Sequence, residues 1–155
     1  MAKLIELRKL SKEFYKAYPH SEYPEMEAKE NRPYVVLLVQ INKIQFAIPL
    51  RTNIRHSYCY KFKTSDRETK SSTGIDFSKA VVISKDSYLG EKTDINDKEY
   101  LELQEKTFFI IKKFKKYVSD YISFKKNGGN EHIAKRYLFS TLKYFDGILL
   151  NTLIC

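Results

Sequence analysis

The chain has 155 residues, 43% hydrophobic and 30% charged, which suits one folded domain with a real core and excludes a disordered chain. No apolar run approaches membrane-spanning length, and no long apolar run precedes a small-residue cleavage site at the N-terminus, so neither a membrane span nor a secretory signal is expected. The net charge of +9, from 28 Lys and Arg against 19 Asp and Glu, favours a polyanionic partner, although a lysine-rich genome would give the same excess.

"KLIELRKLSKEFYKAYP" opens with a short strand through Leu4, Ile5 and Leu7. Ser11 then caps a helix from about Lys12 to Tyr18, which Pro19 stops. "HSEYPEMEAKENRP" is acidic, without a sustained period, and reads as a surface loop. "YVVLLVQI", positions 34 to 41, is rich in β-branched residues and predicts a buried strand. "NK" turns the chain, and "IQFAIPL", positions 44 to 50, pairs back with Pro49 at its frayed end. "SYCYKF", positions 57 to 62, alternates as a third strand, "KTSDRETKSST" is a polar loop, and "GIDFSKAVVIS" ends as a strand at Ala80 to Ile83.

The period changes after Asp86. Asp97 can cap a short helix running to about Gln104. From Lys106 to Lys126, Ile110, Phe114, Tyr117, Tyr121 and Phe124 recur every three or four residues, which is one helical stripe. "NGGN" ends that helix, and short helices are expected around Glu131 to Tyr137 and Ser140 to Phe145, with the tail "GILLNTLIC" packed on the core. Strands followed by helices predict one α+β domain over residues 1–155: a small, strongly bent antiparallel sheet flanked by helices, the longest in the C-terminal half.

There is no Gly-rich phosphate loop, no HExxH and no GxSxG, and carboxylates are scattered. Cys59 and Cys155 form no CxxC and no Cys/His cluster, so no metal and no cofactor is expected, and a reducing cytosol fits.

The chemistry concentrates at the end of the hairpin, where Arg51, Thr52, Asn53, Arg55 and His56 crowd into six residues. Metal-free RNA cleavage by the neighbouring 2′-OH needs a base, an acid and stabilisation of the charged phosphorane-like transition state. Arg51 offers a planar fork for phosphate oxygens, Thr52 and Asn53 offer short polar groups, and imidazole is the one side-chain type in the stretch that titrates near neutrality. Plain surface charges, or pairing of the arginines with the acidic loop, would account for Arg51 and Arg55 equally well, and Thr52–Asn53 could simply form a turn. Arg32 and Tyr34 at a strand start could reach a phosphate and stack on a base. Residues 106 to 127 hold seven lysines and one acidic residue, with Lys112, Lys113 and Lys116 facing outward either as a solvated face or as phosphate contacts.

"RPYVVLLVQINKIQFAIPLRTNIRH", "GIDFSKAVVISKDSYL" and, more weakly, "FSTLKYF" resemble the toxins of bacterial type III toxin–antitoxin systems, the ToxN/AbiQ, CptN and TenpN group, and CptN/TenpN in particular. The resemblance runs from about Arg32 to Phe145, its most specific element being the Pro-Leu-x-Ser/Thr at the hairpin end. It implies a MazF/Kid-like, SH3-like barrel with added helices. It further implies a cytoplasmic bacterial endoribonuclease acting in phage defence, cutting cellular RNA without metal to leave a 2′,3′-cyclic phosphate and a 5′-hydroxyl. The partner it implies is a repeat-derived pseudoknot antitoxin RNA bound directly, in a multi-copy protein–RNA assembly.

ToxN reads Pro-Leu-Thr-Ser-Pro-Lys, where this chain reads Pro49, Leu50, Arg51, Thr52, Asn53, Ile54. A lysine before the first hairpin strand is replaced by Arg32. Thr52 matches the family's Ser, but Ile54 stands at its Lys, so the charge has to come from Arg51, Arg55 or His56. Thr52, His56, Arg51 and Arg32 are therefore the expected catalytic residues, with Asn53, Arg55, Tyr34, Lys112, Lys113 and Lys116 binding RNA. The alternatives are a non-catalytic RNA-binding module and a domain that meets an acidic protein.

Overall fold

The computed structural model describes residues 3–27, 29–64 and 72–151. Strand β1 (Ile5–Leu10) lies antiparallel to β2 (Tyr34–Leu37), with Ile5 opposite Leu37 and Arg8 opposite Tyr34. All of β2 is buried, as its β-branched run predicts, and its other edge takes β3 (Phe46–Arg51). The remaining strands are β4 (Cys59–Lys61), β5 (Gly74–Asp76), β6 (Val81–Val82) and β7 (Leu89–Lys92). The described strands make one seven-stranded sheet in the order β4-β5-β3-β2-β1-β7, with β6 also on β3, and every pairing is antiparallel.

The antiparallel sheet with flanking helices is the expected architecture. It is not closed into a barrel among the described residues: β4 and β7 end the strand order without pairing with each other.

Pro49 explains a break in the sheet. The N–H of Leu50 donates to Pro33 O, so the nitrogen of Pro49, which has no hydrogen, points to the opposite edge. On that edge β6 pairs with Phe46 and Ala47, and β5 pairs with Leu50 and Arg51. Between them the chain makes a 3₁₀ turn, Phe77–Lys79, instead of continuing a ladder that Pro49 could not complete. The strand expected at Ala80 to Ile83 is present as the short β6, and β5 is an additional strand earlier in the same segment.

The strand expected over 34 to 41 stops at Leu37. Leu38 and Val39 are exposed, and Ile41 and Ile44 then bridge across Asn42 and Lys43. Both of those turn residues take positive φ, at 53° and 67°, so a two-residue hairpin turn forms without glycine. The edge strand β7 is unsignalled in sequence, because Gly90, Glu91 and Lys92 carry almost no apolar pattern.

Helix α1 (Lys12–Ala17) begins where expected, with the Ser11 hydroxyl accepting from the Phe14 N–H at 3.3 Å. Helix α2 (Asp97–Glu105) is capped by Asn96 rather than Asp97. Helix α3 (Thr107–Asn127) buries Ile110, Phe114, Tyr117 and Tyr121 along the expected stripe, with Phe124 partly buried. Phe114 meets Phe46 of β3 edge-on at 5.1 Å, and burying such a side chain contributes roughly 2 to 3 kcal/mol. Gly128, at φ 75°, ends α3. Helix α4 (Glu131–Arg136), a 3₁₀ turn over Thr141–Phe145 and helix α5 (Asp146–Leu149) complete the described chain. Leu149 packs into the core, and the last four residues of the tail lie outside the described residues. No described helix is long and apolar enough to cross a membrane.

Candidate functional site

β3 delivers Arg51 to the end of the sheet opposite Gly74, two residues before Asp76 on β5. There Arg51 is held by two carboxylates: Nε lies 2.6 Å from Glu27 Oε1, and Nη1 donates to Asp76 Oδ2 at 2.7 Å. Arg32, just before β2, donates from Nη1 to Leu50 O at 2.6 Å, and its Nε lies 3.1 Å from the other oxygen of Glu27 without the alignment of a hydrogen bond. One carboxylate therefore spans both guanidiniums.

Asp76 has no solvent exposure. Its Oδ1 accepts from the Ser78 N–H at 2.9 Å and the Ser78 hydroxyl at 2.6 Å, capping the Phe77–Lys79 turn. His56 Nε2 lies 3.2 Å from the same oxygen. Burial alone would push the Asp76 pKa up; the hydrogen bonds from His56, Ser78 and Arg51 outweigh it and hold the carboxyl below its ordinary value. The Tyr58 N–H donates to His56 Nδ1 at 3.1 Å, which places the imidazole hydrogen on Nε2, toward Asp76. Both ring nitrogens of His56 are thus engaged.

A cleft of about 360 Å³ opens beside these groups, with Lys29, Arg32, Arg51, Thr52 and Asp94 in its lining. Thr52 is exposed there, and Asn53 turns the chain with φ 55°. The next residue, Ile54, is buried and donates its N–H to Ser72 O, so it anchors the loop where the resembling family carries a lysine. The structure brings Arg32, Arg51 and Thr52 to one cleft. It places His56 on the other side of Asp76, outside the cleft's lining but tied to Arg51 through the shared carboxylate. Asn53 and Arg55 are exposed in the same loop.

Tyr34 is a correction. It is 1% exposed within β2 and cannot stack on a base: the continuous apolar run that makes 34 to 37 a strand buried on both faces also puts this residue in the core. Lys112, Lys113 and Lys116 are exposed on α3 as expected, though Lys113 Nζ bends back to Cys59 O at 2.8 Å and Lys116 pairs with Asp120 at 2.9 Å. Sequence reasoning missed both carboxylates that set the site. An Asp inside the apolar run "GIDF" is a legible signal; Glu27 offers only its place in an acidic loop. Pairing of Arg51 with that loop, the plainer expectation, is present. With Arg32 and Arg51 set against Glu27 and Asp76, the cluster's formal charges cancel.

The geometry defines a strand-end site in which two carboxylates orient two guanidiniums beside an open cleft, on an antiparallel sheet flanked by helices. No family model and no curated protein matches the chain. Its fold is shared with a solved chain from a bacterial type III toxin–antitoxin system, described for selective inhibition of the toxin by a non-coding RNA pseudoknot. The two are 19% identical, the match covers 88% of this chain and 89% of that one, and the TM-score is 0.64.

Proposed function

We propose that this protein is an endoribonuclease toxin of a type III toxin–antitoxin system, acting in the bacterial cytoplasm and inhibited by direct binding of a repeat-derived pseudoknot RNA. The observation that carries the reading is the convergence of Arg32, Arg51 and Thr52 on one open cleft at the end of β3, on a fold shared with a protein of such a system. Because a repeat RNA offers successive seats, one repeat touching two protein copies would give a multi-copy assembly.

The chemistry follows from the groups present and needs no metal in this reading. A phosphodiester enters the cleft against the free edges of Arg51 and Arg32. Glu27 and Asp76 hold those guanidiniums in place, so little reorganisation is required when charge builds on the phosphorane. The 2′ oxygen attacks the adjacent phosphorus, and its proton passes by way of solvent to His56 Nδ1, since the imidazole stands beyond Asp76 and not in the cleft's lining. That step requires the local contact with the Tyr58 N–H to open, while Asp76 keeps the other ring nitrogen oriented, as a carboxylate does for a catalytic imidazole. The bond from phosphorus to the 5′ oxygen breaks, and that oxygen takes a proton from solvent relayed by the Thr52 hydroxyl. The products are a 2′,3′-cyclic phosphate and a 5′-hydroxyl.

The double engagement of His56 favours a second reading, a non-catalytic RNA-binding module in which the cluster only grips phosphate. Comparing His56→Ala with His56→Gln separates them. Gln can still donate to Asp76 but cannot take up a proton. Both variants should fold and lose cleavage by about a hundredfold or more, and the acid limb of the pH–rate profile should vanish with them. Activity retained in His56→Gln would remove the imidazole from proton transfer, and RNA binding without product from the unaltered protein would establish the module.

A further inference from the structure

Ile110, Phe114, Tyr117 and Tyr121 turn one side of α3 into the core, so the opposite side of the helix points to solvent. Two adjacent residues on that outward side are aromatic. Among the described residues no large hydrophobic side chain is more exposed than Phe108, at 77%, and Phe109 beside it is 55% exposed. Phe109 meets one ring, Tyr60, with centroids 6.1 Å apart and planes at 72°, so nothing is stacked on it. No ring lies against Phe108 among the described residues.

Steps of four and three residues lead from Phe108 to Lys112 and Lys115, and from Phe109 to Lys113 and Lys116. Each ring is therefore followed on its own face by ammonium groups, at about 5 to 6 Å per step. Lys113 bends back to Cys59 O and Lys116 pairs with Asp120, the one carboxylate between residues 106 and 127. Lys112 and Lys115 are exposed and have no partner among the described residues. Glu105, in the last turn of α2, is the nearest acidic residue before the rings in the chain.

Large rings left side by side in water mark an interaction surface. A protein partner fits this one poorly, because lysine is depleted where proteins meet. A helix that lies on a membrane offers its apolar stripe to the lipid, and the stripe of α3 is already in the core. An unpaired nucleic-acid strand uses both features, since its bases stack on rings and its phosphates seek ammonium groups.

We propose that the outward face of α3 is a platform for a single-stranded segment of RNA, with unpaired bases stacked on Phe108 and Phe109 and the intervening phosphates at Lys112 and Lys115. The platform rests on the ribonuclease reading for the origin of the strand, but its test reads binding rather than cleavage.

Fluorescence anisotropy would be followed with a labelled 2′-O-methyl RNA of about 12 nucleotides, which cannot form a cyclic phosphate, both as a single strand and annealed to its complement. Replacing both rings, Phe108→Ala with Phe109→Ala, should weaken single-strand binding at least about tenfold and duplex binding less than about twofold. The log–log salt slope should stay unaltered in that variant, because rings release no counterions, whereas Lys112→Gln with Lys115→Gln should flatten it by about two contacts. Phe108 touches no other ring, so Phe108→Ala alone carries the test if Phe109→Ala disturbs β4. Undiminished single-strand binding in the phenylalanine variants, or an equal loss on the duplex, would overturn the platform. A dimer in sedimentation that those variants dissociate, or their release from phosphatidylglycerol vesicles, with RNA binding intact, would overturn it in favour of a second copy or a lipid surface. Ring-dependent binding of the single strand by a protein that cuts no RNA would sink the ribonuclease reading and leave the platform standing.

Discussion

Asp76 does the most to organise the site. A single buried carboxylate accepts from Arg51 and Ser78 and fixes the imidazole of His56, so its negative charge is compensated on every side. Asp76→Asn keeps the shape and removes the charge. It should destabilise the protein by about 2 to 4 kcal/mol in urea denaturation, because the pairing is lost in a buried setting. The pH dependence has a definite sign. Since the folded pKa of Asp76 lies below the unfolded one, its contribution is fully present above the ordinary carboxylate range and is lost as pH falls through the folded value. The unaltered protein should therefore lose stability below about pH 4, and Asp76→Asn should lose less over that window. Glu102 behaves alike, with burial opposed by donors from Tyr60, Lys63 and Thr64, so part of the acid sensitivity survives in the variant. At this scale the sequence shows the crowding of Arg51, Thr52 and His56, because neighbours in the chain need no fold to be seen together. It hides the partnership of Arg51 with Glu27 and Asp76, which are brought in from a loop and from another strand.

The position of Arg51 is set by its strand neighbours. β3 is legible from its alternation, and the long helix α3 from its stripe, since both patterns repeat over enough residues to fix a face. The division of "GIDFSKAVV" into β5, a 3₁₀ turn and β6 is not legible, because its cause is the missing N–H of Pro49 on a different strand. Gly74 pairs with both Arg51 and Lys61, and a β-carbon there would lie 2.1 Å from the Tyr60 carbonyl oxygen. β4 and β5 cannot accept it without separating, and β5 carries Asp76. Gly74→Ala should cost about 1 to 3 kcal/mol and slow cleavage by disturbing Arg51 through β5. Thermal denaturation beside an activity assay checks this; unchanged stability would mean that the two strands yield more easily than their close approach implies.

Across the whole molecule, the net charge of +9 coexists with a strand-end cluster whose own charges cancel. In the proposed function, binding strength and chemistry would thereby be separated: the surface lysines, including those of α3, would gather the polyanion, and the cluster would act on one phosphate. RNA affinity should then fall steeply with salt, with a log–log slope of about −2 or steeper for three or more phosphate contacts, and Arg51→Ala should shift that slope by less than one contact. A flat salt response in filter binding would contradict an electrostatic role for the surface. The most direct measurement of the central claim is the chemistry of the product ends. Cellular RNA is incubated with the purified protein in excess chelator, with Arg51→Ala alongside. The expected result is fragments ending in 2′,3′-cyclic phosphate and 5′-hydroxyl, formed about a hundredfold more slowly by the variant. Intact RNA, 5′-phosphate ends, or cleavage undiminished in Arg51→Ala would contradict it.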